Sequence, residues 1–106
     1  MSEALFDTHA HLIADDPIAY PPSPMRGTSS FTRMTYSATA DWLVEQMDAT
    51  GVARACIVQR GHVYGYDNSC IIDAARAYPG RLLPVVILDT QDPATPALFT
   101  KSASWA

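Results

Sequence analysis

Three short apolar runs divide the chain into strand-like and helix-like segments. Residues 5–9 begin apolar and end in a histidine, as expected for a buried strand that opens into a site. Residues 54–59 are apolar without interruption at their centre, which is typical of a parallel strand covered on both faces. Residues 82–88 form the third run. Because Pro84 has no N–H to donate to a ladder, we expect it at the strand start, with residues 85–88 as the paired part.

Helical periodicity occupies the intervals between these runs. From residue 39 to residue 50 apolar positions recur at i, i+3, i+4 and i+7, with Thr39 as N-cap and Gly51 just past the end. A second helix is predicted after Asp67, which can cap it, and it ends at a Pro-Gly pair. Its buried stripe consists of Ile71, Ala74, Ala75 and Tyr78. An Asp-Pro pair at residues 92–93 predicts the start of a third helix, whose apolar face is not sustained after Phe99.

The resulting element order is βαβαβα, which predicts an α/β fold with a parallel sheet. A chain of 106 residues is one domain at most. Residues 12–38 are rich in Pro, Gly and Ser and are predicted to be a long loop. Its segment 20–24, Tyr-Pro-Pro-Ser-Pro, fits either a stiff lid over a site or a polyproline-like loop packed on the rim.

Charge and composition exclude several classes of protein. The net charge is −4, and the seven Lys and Arg residues are scattered without a basic run, so no nucleic-acid partner is expected. The N-terminus lacks a signal-peptide pattern, and no apolar stretch approaches the roughly 18 residues of a membrane span. We therefore expect a cytoplasmic protein without a membrane partner. Cys56 and Cys70 show no CxxC spacing and are predicted to be reduced core residues.

His9 and His11 are the residues most suggestive of chemistry. On a strand, residues i and i+2 point to one face about 7 Å apart, so two imidazoles can converge on one ion. A catalytic zinc site usually takes three protein ligands plus water, so this pair is an incomplete site for zinc or another divalent metal. Asp7 has the same parity and is a candidate acceptor for an imidazole N–H.

The loop after the second predicted strand supplies candidate substrate contacts. Arg60 can hold a substrate carboxylate through a bidentate pair, and His62 or Tyr64 can hydrogen-bond a lactone or acid oxygen. Loop Tyr and His residues more often pack or face solvent than bind a ligand. Asp89, at the end of the third strand, is favoured as a turn residue.

The segment Phe-Asp-Thr-His-Ala-His-Leu at residues 6–12 resembles the first-strand signature of the amidohydrolase superfamily. Residues 51–59, 64–68 and 77–81 further resemble its amidohydrolase-related branch of pyrone-dicarboxylate and sugar lactonase-like enzymes. The resemblance covers residues 5–96 of a single partial domain spanning 1–106, and residues 97–106 depart from it. It implies the first three βα units of a (β/α)8 TIM barrel, which is incomplete at this length because a closed barrel needs about 250 residues.

The resemblance implies a metal-dependent hydrolase in which His9 and His11 belong to the metal centre. The parent reaction would be hydrolysis of a small carboxylated lactone or related cyclic ester, with a small-molecule substrate. A further histidine and the catalytic aspartate would come from later strands, so no catalytic residue is identified in this chain. Members of this branch also work without metal. The alternatives are a zinc decarboxylase of the same superfamily and a truncated, catalytically silent product. Open sheet edges predict self-association.

Overall fold

The computed structural model describes residues 4–25 and 37–102, the last of these by its backbone alone. The strands are β1 (Leu5–Ala10), β2 (Val52–Val58) and β3 (Leu82–Val85). The helices are α1 (Ala40–Thr50), α2 (Gly61–Tyr64), α3 (Ser69–Ala77) and α4 (Thr95–Ser102). The fold is α/β, as the sequence predicts, and α2 is a short helix where only a loop was expected.

The three strands form one parallel sheet in the order β1-β2-β3. Strand β2 pairs with β3 in continuous register, with Ile57 opposite Pro84 and Val58 opposite Val85. Strand β1 pairs with β2 less regularly, since its register shifts between Asp7 and Ala10. The prediction of a parallel sheet is confirmed, and the irregularity lies immediately before the end of β1 that carries the histidines.

The predicted paired part of the third strand is wrong, because pairing ends at Val85 instead of beginning there. The backbone N–H groups of Ala55 and Gln59 donate to the carbonyls of Arg81 and Val85 at 2.8 and 2.9 Å. Among the described strands β3 lies at the edge of the sheet, the position where a sheet tolerates the missing donor of Pro84. The proline therefore lies inside the ladder.

A buried asparagine explains why the strand stops. Asn68 is only 6% exposed, and its Nδ2 donates to the carbonyl of Ile87 at 2.9 Å. Its Oδ1 accepts from the Ile87 N–H at 3.0 Å, and Nδ2 also donates to the Tyr66 carbonyl at 3.1 Å. The side chain thus takes both main-chain groups of Ile87, which are then satisfied without a ladder.

Helix α1 begins and ends as its sequence predicts. The Thr39 hydroxyl accepts a hydrogen bond from the Trp42 N–H at 3.2 Å. Gly51 terminates the helix with φ of 80°, a left-handed conformation that costs glycine little. Val44 and Met47 are the buried residues of this helix.

The core lies between the sheet and helices α1 and α3. Its largest fully buried side chains are Leu12, Ile57, Ile71 and Leu82. Each such burial stabilises the fold by roughly 1.5–3 kcal/mol. From α3 the predicted residues Ile71, Ala74 and Ala75 are buried, together with Cys70, while Tyr78 is half-buried.

The start of α3 differs from the prediction. Asn68 occupies the N-cap position without a side-chain capping bond, while Asp67 Oδ1 accepts from the Ser69 N–H at 3.1 Å. The carboxylate therefore satisfies one free helix donor from one position earlier than expected, because the Asn68 amide is committed to Ile87 and Tyr66.

The last helix starts later than predicted. Asp92 Oδ1 accepts from the Ala94 N–H at 2.9 Å, which makes a turn, and α4 begins at Thr95. The helix runs to Ser102 even though Phe99 is 68% exposed. The loss of apolar pattern after Phe99 thus accompanies a poorly covered helix, and residues 103–106 lie outside the described residues.

The loop before α1 is tied to the body at several points. Ile13 and Ala38 exchange two backbone hydrogen bonds of 2.9 and 2.8 Å. Between them, the Tyr20 hydroxyl donates to Asp73 of α3 at 2.6 Å, and the Ser23 N–H donates to the Val63 carbonyl of α2 at 2.7 Å. Segment 20–24 is therefore packed on the surface formed by α2 and α3, one of its two predicted roles. A further part of the predicted loop, residues 26–36, lies outside the described residues.

Within the described ranges, no helix has the length and apolar character needed to span a bilayer.

Candidate functional site

The imidazoles of His9 and His11 meet at the C-terminal end of β1. Their Nε2 atoms are 3.2 Å apart, and the ring planes are inclined at 85°. In parallel α/β folds, functional groups gather at the carboxyl ends of strands. The structure thus brings together the two residues that the sequence predicted as metal ligands.

A backbone carbonyl fixes the tautomer of His11. Its Nδ1 lies 2.9 Å from the carbonyl oxygen of Val58, at the end of β2. Because a carbonyl oxygen only accepts, Nδ1 carries the hydrogen, and Nε2 of the neutral ring presents its lone pair toward His9. Asp7 does not take the predicted role of acceptor for an imidazole. Its Oδ1 accepts from the backbone N–H of His9 at 3.0 Å, a turn-like contact favoured by the irregular end of β1.

The two Nε2 atoms are hydrogen-bonded to each other, and their separation is also close to that of neighbouring ligands on one zinc ion. Tetrahedral zinc with Zn–N bonds of about 2.0–2.1 Å separates neighbouring nitrogens by roughly 3.3 Å. Among residues 4–25 and 37–101, no cluster of three or more His, Cys, Asp or Glu side chains could hold a metal. The described residues therefore supply two imidazoles and no third ligand of these types.

A cavity of about 630 Å³ adjoins His11 of this pair. It is lined by His11, Met25, Gln59, Arg60, Gly61, His62 and Ile87. Two of the three predicted substrate-binding residues, Arg60 and His62, thus line the same cavity as His11. Arg60 is half-buried at the N-terminal boundary of α2, whereas His62 is exposed.

Tyr64 is placed differently from its prediction. It is only 3% exposed, it packs in the core, and it is not among the residues that line this cavity. Its hydroxyl accepts from the Ala14 N–H at 2.9 Å, and burial raises its pKa. The last residue of α2 faces the core, so Tyr64 anchors the loop before α1 instead of facing the cavity.

Sequence reasoning missed Gln59, the first residue after β2. The side chain is 2% exposed, and its Nε2 donates to the carbonyls of Gly65 and Asp67 at 2.9 and 2.8 Å. These bonds hold the turn that follows α2 against the end of β2. Its signal in the sequence was a single amide closing an apolar strand, a position where a polar side chain must find buried partners.

A second, smaller cavity of about 240 Å³ lies between the loop and helices α1 and α3. Its wall includes Tyr20 and Cys70. The hydrogen bond to Asp73 raises the pKa of Tyr20 to about 12, and burial raises the pKa of Cys70 to about 11. Both groups are therefore protonated near neutral pH, so neither is an activated nucleophile there.

Comparison with known proteins identifies the fold. No protein-family model and no curated protein matches the chain. A solved structure from Acinetobacter baumannii superposes with a TM-score of 0.70 at 19% identity, covering 94% of this chain. It is described as a probable 2-pyrone-4,6-dicarboxylic acid hydrolase with citric acid bound, and it is a TIM-barrel hydrolase. The fold is that of a partial TIM barrel. The chain spans 34% of the length of that neighbour.

Proposed function

We propose that this chain supplies the first histidines and a carboxylate-binding wall to the active site of a hydrolase that opens small carboxylated lactones or related cyclic esters. The observation that carries the proposal is the His9–His11 pair, with Nε2 atoms 3.2 Å apart, beside a cavity lined by Arg60. This arrangement combines two potential metal ligands with a half-buried cation at one strand-end surface.

Each side chain has a separate part in this proposal. His9 and His11 would hold zinc or another divalent ion, and the Val58 carbonyl, by pairing with Nδ1, leaves Nε2 of His11 as the nitrogen that would bind it. Such an ion polarises an ester carbonyl and lowers the pKa of bound water. Arg60 binds a substrate carboxylate as a planar fork of donors, and His62 donates to an acid or lactone oxygen.

The structural neighbour supports the class of ligand. Its described substrate is a dicarboxylic acid, and the acid bound to it is a tricarboxylic acid. A cavity of about 630 Å³ is within the usual range for small-molecule sites. Polycarboxylates are therefore the first compounds to test on this chain.

Zinc titration tests the histidine half of the proposal. The chain contains three histidines, which gives a matched set of variants. We expect weak zinc binding that is lost in both His9→Ala and His11→Ala, and retained in the control His62→Ala. Binding that survives loss of either His9 or His11 would show that the ion is held elsewhere.

Titration with 2-pyrone-4,6-dicarboxylate and citrate tests the cavity half. Arg60→Met should weaken the binding of both acids, whereas Arg54→Met, at an exposed position on β2, should leave it unchanged. We expect no substantial turnover of the pyrone by this chain, because catalytic zinc usually takes three protein ligands and two are provided. Turnover that disappears in His9→Ala would contradict that expectation and show that the centre is complete.

A further inference from the structure

The Gln59 carboxamide is fixed in one orientation. Both hydrogens of its Nε2 are used, one toward the Gly65 carbonyl at 2.9 Å and one toward the Asp67 carbonyl at 2.8 Å. Turning the amide over would set Oε1 against these two carbonyl oxygens, which have no hydrogen to share. Oxygen and nitrogen are therefore assigned by the surroundings of this side chain.

This orientation leaves the amide oxygen as an unused acceptor. Gln59 Oε1 is buried and accepts no hydrogen bond from the described part of the chain. A buried polar atom without a partner is unfavourable by roughly 1–3 kcal/mol, and in native proteins such an atom usually pairs with water, an ion or a ligand. Gln59 also forms part of the wall of the cavity that contains His11 and Arg60. A molecule held in that cavity is a natural source of the missing donor.

We propose that Gln59 Oε1 accepts a hydrogen bond from a ligand hydroxyl, so that the cavity selects hydroxycarboxylates over carboxylates that lack the hydroxyl. The inference rests on the proposed carboxylate site at Arg60 and adds a second requirement to it. An amide oxygen whose N–H groups are both committed to the protein can only accept. It therefore pairs with a hydroxyl and repels a second carboxylate.

The expected preference has a consequence for lactone hydrolysis. Opening a lactone ring gives a carboxylate and a hydroxyl, whereas the closed ring offers neither of these at the ester. A site with an Arg60 cation and a Gln59 acceptor therefore complements the ring-opened hydroxy acid at two points. Gln59 is a specificity-determining residue in this scheme and takes no part in proton transfer.

Citrate and tricarballylate form a matched pair of probes, since both carry three carboxylates and only citrate carries a hydroxyl. Calorimetric titration of the 106-residue chain should show that citrate binds roughly five- to tenfold more tightly than tricarballylate, because one net hydrogen bond usually contributes about that factor to affinity. In Gln59→Met both ligands weaken, because the bonds to Gly65 and Asp67 are also lost, but the ratio of their affinities should fall to about one. In Arg60→Met both should weaken with the ratio retained.

The outcomes separate this inference from the proposed function. Equal binding of the two acids by the parent chain, or a preference that persists in Gln59→Met, would overturn the role of Gln59 and leave the carboxylate site intact. Binding of neither acid would refute the proposed function, and the role of Gln59 with it. Should Gln59→Met fail to fold, the parent chain gives the answer by NMR. Citrate, unlike tricarballylate, should shift the side-chain carbonyl carbon of Gln59, with Gln46 and Gln91 as internal references. Equal shifts with both acids would also refute the inference.

Discussion

Replacing Asn68 with alanine should lower the free energy of unfolding by about 3 kcal/mol. The amide makes three hydrogen bonds, two to the main chain of Ile87 and one to the carbonyl of Tyr66. A typical intramolecular hydrogen bond contributes about 1 kcal/mol net, and the groups left behind have no replacement in the ladder. A domain of this size has a total stability of about 5–15 kcal/mol, so the loss is a large fraction of it.

Urea unfolding followed by circular dichroism measures this change, and hydrogen exchange locates it. In Asn68→Ala the Ile87 amide should lose its protection, while the amides of β2 change only with global stability. Ser69→Ala is the matched control, because this exposed neighbour only bonds the solvent-facing Asp67 and should change stability by less than about 0.5 kcal/mol. An Asn68→Ala variant within 1 kcal/mol of the parent, with a protected Ile87 amide, would refute the role assigned to Asn68.

Three further predictions use other features of the fold. Gly65→Ala should strongly destabilise the chain, because a Cβ there would lie 2.3 Å from the Ser23 carbonyl oxygen. Gly80→Ala has open space around it and should cost only about 1 kcal/mol of backbone strain. Urea unfolding of the two variants measures the difference in stability. The folded chain raises the pKa of Tyr20 from about 10, its value in the unfolded chain, to about 12. The protonated hydroxyl therefore adds stability that is fully present below pH 10 and is lost as the pH rises to 12. Tyr20→Phe should show a smaller loss of unfolding free energy over that interval. We also propose that the chain self-associates through exposed residues of the sheet. Phe6 and Val85 are 48% and 44% exposed, so Phe6→Lys and Val85→Lys should lower the mass measured by light scattering. An unchanged mass would place the contact elsewhere.

Local rules predicted the elements that depend on local interactions. Helix α1 needed only its apolar spacing, the Thr39 hydroxyl and Gly51, all of which act within one or two turns of the helix ends. The convergence of His9 and His11 followed from the period of a strand, even though the register of β1 shifts just before them. Asp89 likewise accepts from the Gln91 N–H at 2.9 Å, as expected for a turn residue.

The errors arose where a side chain binds backbone distant in sequence. The end of β3 depends on Asn68, which lies 19 residues before Ile87, and nothing in the local pattern reveals that bond. Tyr64 was expected at the rim because it lies in the segment that follows the second predicted strand, but its hydroxyl accepts from the Ala14 N–H, 50 residues away. The role of Gln59 was missed for a different reason, because its partners are only 6 and 8 residues away but are carbonyls in a turn whose shape the sequence does not specify.

The two backbone hydrogen bonds between Ile13 and Ala38 give this chain a site at which new sequence can be accepted during evolution or engineering. They hold the two ends of the intervening segment together, so the distance between these ends does not depend on the length of chain that joins them. The entropy of closing such a segment grows only logarithmically, by about 0.6 kcal/mol for each doubling of length. Segment grafting between Ile13 and Ala38 that retains Ala14, Tyr20 and Ser23, which are bonded to the helices, can therefore diversify the surface beside Met25, which lines the larger cavity.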